Sequence, residues 1–140
     1  LHTYDPSDIR AVEPKVNISN TLTKDMAEVA YRIAKKVYLG DLGRTEGRNE
    51  IVKLTGMNEG SAGDYVTDFL AMMNGEQYAR TLNEYSTRYF LDNILKDFGI
   101  EYLKSALLAC KKHAKYYASL GRGRLAYVER LVEEFEKFIK

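Results

Sequence analysis

Apolar side chains recur along most of the chain with the three-to-four-residue spacing of amphipathic helices. The clearest example predicts a helix from about Thr21 to Gly40, with an apolar face formed by Met26, Val29, Ala30, Ile33, Ala34 and Val37. No segment alternates polar and apolar β-forming residues over the length of a strand. The predicted fold class is therefore all-α.

Glycines and capping residues divide the rest of the chain into five more helices, which we expect over residues 45–56, 58–75, 81–99, 100–120 and 125–139. The third helix can be capped by Asn58 or Ser61, and the fourth by Thr81 or Asn83. Because the connections are short, sequential helices should pack as neighbours. The pattern predicts a compact bundle of about six helices.

The first 20 residues differ from the rest, since they contain Pro6 and Pro14 and show no helical or strand period. We expect an extended N-terminal arm over residues 1–20 and one helical domain over residues 21–140, because 140 residues suit a single core. The chain begins at Leu1 without a signal region, which suggests a fragment of a longer protein. It contains no apolar run long enough to cross a membrane.

The distribution of charge along the chain says more about function than the net charge does. The chain has 21 basic and 20 acidic side chains, a formal net charge of +1 that does not by itself indicate a nucleic-acid partner. Residues 104–125, however, contain no acid and six basic residues, which are Lys104, Lys111, Lys112, Lys115, Arg122 and Arg124. The near-neutral total conceals one strongly basic segment.

On a helix, Lys104, Lys111 and Lys115 fall within roughly 40° of one another, with Lys112 beside them. Tyr116 lies at the edge of this stripe, and a Gly-Arg-Gly-Arg turn follows it. Such a surface can bind the phosphate backbone of DNA. A solvated helix face, with lysines that complement the helix dipole, is the alternative interpretation.

The second and third helices also have the spacing of a helix-turn-helix motif, in which Asn58 and Ser61 would contact base edges. Glu59, Asp64 and Asp68 argue against this interpretation, because phosphates repel carboxylates. Capping explains Asn58 and Ser61 equally well.

Catalytic chemistry has little support in the sequence. His113 is expected to be a hydrogen-bonded core histidine, and Asp64 and Asp68 to lie on a solvated helix face without further metal ligands. Cys110 points toward the core and has no disulfide partner, which favours a cytoplasmic protein. We expect no catalytic residues, no metal site and no cofactor. The 11 tyrosines suit the rim of a small core, although tyrosine also stacks on bases.

The stretch from about Ala27 to Tyr117, roughly two thirds of the chain, resembles an N-terminal helical domain of proteins that carry an HNH nuclease domain further along, among them restriction-type endonucleases. The resemblance rests on turn and packing residues, which are Ala30, Tyr31, Gly47, Arg48, Asn58, Ser61, Ala62, Gly63, Asp64, Tyr65, Gly75, Tyr78, Ala79, Arg80, Thr81, Tyr89, Phe90, Leu91, Gly99, Ala106, Leu107, His113, Tyr116 and Tyr117. It implies a specificity module joined to a nuclease, and it adds Arg80 to the candidate DNA contacts.

The leading hypothesis is a DNA-binding module that recognises plain or modified DNA through the basic stripe and the turn. The alternative is an interaction or oligomerisation module in which the acidic middle of one copy meets the basic stripe of another, anchored by Tyr116 or Phe135. An enzyme with an unrecognised site is the third and weakest hypothesis.

Overall fold

The computed structural model describes the backbone of residues 15–139 and the side chains of residues 24–139. Over this range the chain forms six α-helices and no strand, which confirms the all-α prediction. The helices are α1 (Lys15–Tyr38), α2 (Arg44–Thr55), α3 (Glu59–Asn74), α4 (Glu84–Phe98), α5 (Ile100–Ser119) and α6 (Ala126–Ile139).

The first helix begins at Lys15, six residues before the expected start at Thr21. The pattern missed this first stretch because residues 15–20 carry only Val16 and Ile18 as large apolar side chains, too few to establish a helical period. The remainder of the predicted arm, residues 1–14, lies outside the described residues.

Asparagine caps fix the starts of α3 and α4. The Asn58 side chain accepts a hydrogen bond from the backbone amide of Ser61 at 2.8 Å, and Asn83 accepts one from Ser86 at the same distance. Each cap satisfies an amide that the first turn of a helix leaves without a partner. Of the two candidates at each site, the structure selects Asn58 over Ser61 and Asn83 over Thr81.

Helix α3 packs against α1, α2 and α5. A small apolar cluster joins α1, α2 and α3 and contains Ala30, Ile33, Ile51, Met57, Ala62 and Val66. The larger core lies between α1, α3, α4, α5 and α6. Its aromatic centre is Tyr31, Phe69 and Phe90, which meet edge-to-face with ring centroids 5.4 to 5.9 Å apart.

Tyrosines border this core in the way that their amphipathic side chains predict. The Tyr31 ring is buried while its hydroxyl donates a hydrogen bond to Asp97 at 2.9 Å. Tyr65 shares a 2.7 Å hydrogen bond with Ser86. These contacts account for both rings as structural residues.

Helices α1 and α2 approach closely at Gly47. A Cβ atom at this buried position would lie 2.5 Å from Cγ2 of Val37, well inside van der Waals contact. Glycine is therefore required by the packing of the two helices, although it is a poor helix former.

Candidate nucleic-acid interface

The outer surface of α5 carries the predicted basic side chains. Lys104, Lys111, Lys112 and Lys115 are all exposed, while Leu103, Ala106 and Cys110 on the opposite side are buried. The apolar positions of α5 dock against α3, α4 and α6, which leaves the lysines on the outside. The predicted orientation of the stripe is confirmed.

Acidic residues within the fold pair with half of the six basic residues. Lys104 lies 3.4 Å from Glu101, Lys111 pairs with Glu136 of α6, and Arg124 pairs with Glu129 of α6. Glu136 reaches Lys111 only through the tertiary packing of α6 on α5, whereas Glu101 and Glu129 are close to their partners in the sequence. The stripe is therefore less positive than the acid-free segment predicts.

Lys112 faces away from α6. Its Nζ donates a 2.8 Å hydrogen bond to the backbone oxygen of Gly75, at the C-terminal end of α3. A carbonyl does not neutralise an ammonium, so Lys112 keeps its positive charge at the surface. Lys115 and Arg122 are also exposed, and neither forms an ion pair with another described residue.

The segment that connects α3 to α4, residues 75–83, is fastened to the second half of α5. His113 Nδ1 lies 2.7 Å from the backbone oxygen of Tyr78, and its Nε2 lies 2.9 Å from the hydroxyl of Thr81. The Tyr127 hydroxyl of α6 donates to the backbone oxygen of Leu82. The connection thus lies against the second half of α5, on the side of the helix that His113 occupies, and it carries the exposed Arg80.

Arg80 is exposed and stands between the two residues that His113 holds. Within the described part of the chain it forms no ion pair with Glu76 and does not cap α3, two roles that the sequence allowed. Its guanidinium does act on nearby carboxylates, because it opposes the rise in the pKa of Asp64 and of Asp68.

Asp68 corrects the expectation of a solvated carboxylate face on α3. Its side chain is 1% exposed, and neither carboxylate oxygen has a hydrogen-bond partner among the described residues. Burial, followed by repulsion from Asp64, raises the pKa of Asp68 to about 8. The Asp68 carboxyl is therefore mostly protonated at neutral pH and cancels little of the charge on Arg80.

The glycine turn after α5 is only partly available to an anion. The amides of Leu120 and Gly121 donate to the carbonyls of Tyr117 and Ala118, so the first two amides of the turn are already used. Arg122 is exposed, whereas Tyr116 is only half-buried at the edge of α5. The side chain of Arg122 is thus the main anion ligand that the turn offers.

The helix-turn-helix interpretation has little support in the structure. A recognition helix must expose a continuous face to enter a DNA groove. Helix α3 packs against three helices, its exposed positions after the first turn are Thr67 and Asn74, and none of its residues is basic. The Asn58 side chain caps the helix by accepting a hydrogen bond from the Ser61 amide. Base contacts by Asn58 and Ser61 stay a sequence-based prediction.

His113 and Cys110 belong to the core. His113 is fully buried and hydrogen-bonded at both ring nitrogens, as expected of a core histidine, and burial lowers its pKa. Cys110 is fully buried as well, and burial raises the pKa of its thiol to about 11, which makes the thiolate scarce at neutral pH. Cys110 is therefore a packing residue.

The described part of the chain offers neither a metal-binding cluster nor a membrane span. Among these residues, no group of three or more histidine, cysteine or acidic side chains is placed to bind a metal ion. None of the described helices combines the length and the apolar character that a membrane span requires. Comparison with known proteins finds no matching family model, no similar curated protein and no similar solved structure.

The fastening of residues 75–83 is the feature that the sequence did not reveal. His113 was identified as a core histidine, but its partners Tyr78 and Thr81 lie 35 and 32 residues away in the chain. The sequence did contain a signal, because this connection is polar and has no regular structure of its own. Where such a segment runs beside a helix, its buried backbone groups need hydrogen-bond partners.

Proposed function

We propose that this chain is a DNA-binding module, the specificity domain of a restriction-type nuclease, and that four cations bind the phosphate backbone. These four residues, which we call the basic face, are Arg80, Lys112, Lys115 and Arg122. The observation that carries the proposal is that all four are exposed and form no ion pair with a described residue, whereas the other three cations of the acid-free segment are paired. Lys112 contacts the end of α3 at Gly75, and His113 attaches the connection that carries Arg80 to α5.

The charge state of these residues supports the same assignment. None of the four forms an ion pair with a described residue, whereas Lys104, Lys111 and Arg124 are each paired with a glutamate. When an unpaired cation binds a phosphate, the release of counterions from the DNA favours binding without an opposing cost. A cation in an ion pair must first break that pair. The basic face is thus the part of the predicted stripe best suited to DNA.

The expected affinity is low for the isolated chain. Its formal net charge is +1, and four phosphate contacts make a small electrostatic interface. Tight binding would need a second domain or a second copy that engages the same DNA, because linked sites raise the effective concentration. In this proposal the second domain is the nuclease domain that the resemblance to HNH-associated proteins implies.

Removal of the basic face tests the proposal. The variant Arg80→Gln, Lys112→Gln, Lys115→Gln, Arg122→Gln should bind duplex DNA more weakly for all sequences alike, measured by fluorescence anisotropy over a range of salt concentrations. We expect the slope of log affinity against log salt to fall by about 0.9 for each phosphate that the variant no longer binds.

A matched control removes the same charge elsewhere. Lys36, Lys53, Lys96 and Lys137 are exposed, form no ion pair with described residues and lie outside the basic face. Substitution of all four lysines by glutamine should preserve most of the DNA affinity and most of the slope of log affinity against log salt. Equal losses in the two variants would mean that net charge, and not this surface, binds the DNA.

Self-association is the second candidate, although one of its two predicted anchors, Phe135, is wrong. Phe135 is 5% exposed and packs in the core, so it cannot anchor a contact with another copy. Phe138 is 66% exposed and lines a shallow groove together with Arg88, Asp92 and Leu95. A dimer in light scattering that Phe138→Ser dissociates, in a chain without DNA affinity, would favour this candidate over the first.

A further inference from the structure

The His113 side chain holds the residues on both sides of a single exposed dipeptide. Its two ring nitrogens contact the Tyr78 oxygen and the Thr81 hydroxyl, and only Ala79 and Arg80 lie between these anchors. Ala79 and Arg80 are both exposed, while His113 and Tyr78 are buried. Arg80 is thus the one charged side chain on the short loop that the imidazole closes.

The hydrogen bonds define the tautomer of His113. The Tyr78 carbonyl can only accept, so Nδ1 carries the proton and donates, while Nε2 accepts from the Thr81 hydroxyl. A neutral imidazole fills both roles at once. Burial, which lowers the pKa of His113, supports this neutral form near neutral pH.

Further contacts stiffen the same loop. The Tyr78 and His113 rings stack with centroids 4.3 Å apart and planes 18° apart. The Tyr78 hydroxyl and the Cys110 sulfur form a 3.4 Å hydrogen bond on the far side of the ring. Because Tyr78 and Thr81 are held in place, the backbone of Arg80 has little freedom left to lose on binding.

We infer that His113 is a positioning residue that holds the loop of Arg80 in place for phosphate binding by the Arg80 side chain. The inference rests on the proposed function for its DNA part, whereas the immobilisation of the loop stands on the hydrogen bonds alone. The physical benefit is preorganisation, since an ordered arginine binds a phosphate without the entropic cost of ordering its loop.

The first test needs no DNA. Trypsin cleaves after arginine in mobile chain, so the rate of cleavage between Arg80 and Thr81 reports the mobility of the loop. His113→Leu removes both hydrogen bonds, and Thr81→Val removes one of them at an exposed position that tolerates the change. Both variants should be cut faster after Arg80, while cleavage after Arg122 stays the same, measured by mass spectrometry.

Cys110→Ala is the matched comparison, because it removes the weaker contact to the Tyr78 hydroxyl and leaves both hydrogen bonds of His113 intact. It should accelerate cleavage after Arg80 clearly less than Thr81→Val does. Unchanged cleavage in Thr81→Val, in a chain that melts cooperatively, would overturn the immobilisation of the loop. Should His113→Leu fail to fold, Thr81→Val alone decides the question.

The second test measures coupling between Arg80 and its anchor. In the otherwise native chain, Arg80→Gln should weaken binding to duplex DNA on the order of fivefold. In the Thr81→Val background the same substitution should cost clearly less, whereas Arg122→Gln should cost the same in both backgrounds. Additive effects of Arg80→Gln and Thr81→Val would overturn the positioning role. A native chain without DNA affinity would overturn the proposed function instead, while the cleavage result still decides whether the loop is held.

Discussion

At the scale of single residues, the buried polar side chains show most clearly how environment changes chemistry. Ser86, Thr87 and His113 all have hydrogen-bond partners in the core, whereas Asp68 has none among the described residues. A carboxylate in such a place loses its hydration without compensation, so the neutral acid is favoured. The two aspartates of α3 look alike in the sequence and differ because only Asp68 faces the interior.

Stability should therefore fall with rising pH because of Asp68. The folded pKa of about 8 exceeds the unfolded value near 3.9, so between these values the folded state retains a proton that the unfolded state has lost. The contribution of Asp68 is fully favourable below about pH 4 and is lost progressively up to about pH 8. Asp68→Asn, a neutral isostere, should raise the free energy of unfolding at pH 7 by about 1 to 3 kcal/mol and flatten this slope.

Urea unfolding of both proteins at several pH values measures this effect. Asp41→Asn, at an exposed carboxylate, is the control and should reproduce the native pH profile. An Asp68→Asn variant with the native slope would show that the carboxyl has found a partner, with Arg80 the candidate because its charge already acts on Asp68.

At the scale of the elements, the positions of the helices follow from local rules, and their separations follow from a few side chains. The boundaries of α3 and α4 agree with the asparagine caps, which act within one turn of the chain. The close approach of α1 and α2 depends on the missing side chain at Gly47, a tertiary requirement that the sequence pattern does not express.

Gly47→Ala should destabilise the fold, although alanine is the better helix former. The new Cβ would lie 2.5 Å from Cγ2 of Val37, whose branched side chain has little rotamer freedom in a helix. Gly63→Ala is the matched control within α3, since its Cβ would meet Arg48 at an ordinary 3.7 Å. Thermal melting should show a loss of about 1 to 3 kcal/mol for the first and a gain of up to about 1 kcal/mol for the second.

Removal of the α4 cap should cause a smaller loss of stability. Asn83→Ala removes the acceptor for the Ser86 amide and should cost about 1 kcal/mol of folding stability in the same assay. Asn83→Ser, which can restore the cap, should recover most of that loss. A neutral Asn83→Ala would mean that solvent replaces the cap.

At the scale of the whole molecule, the arrangement of helices redistributes the charge that the sequence places along the chain. Helix α6 packs beside α5 and brings Glu129 and Glu136 to the basic stripe. The connection between α3 and α4, which carries Arg80, is fastened to α5 through His113. Surface ion pairs of this kind stabilise a fold little, so their main consequence is the electrostatic field that a ligand meets.

Removal of an intramolecular acid should therefore strengthen DNA binding. Glu136→Gln frees Lys111, and we expect a higher affinity with a salt slope steeper by up to about 0.9. Glu133→Gln is the control on the same helix, because Glu133 is exposed and has no ion-pair partner among the described residues. Equal gains in the two variants would point to net charge, and no gain in either would place Lys111 outside the interface.

The sequence by itself determined the all-α class, the six helices, the orientation of the α5 lysines and the burial of His113 and Cys110. These properties depend on hydrophobic periodicity and on capping, which act over a few neighbouring residues. Only the tertiary structure decided that Glu136 pairs with Lys111, that the connection carrying Arg80 is fastened to α5, and that Asp68 is buried. Those outcomes depend on contacts between residues far apart in the chain, such as Lys111 with Glu136 and His113 with Tyr78, and local patterns carry no information about such contacts.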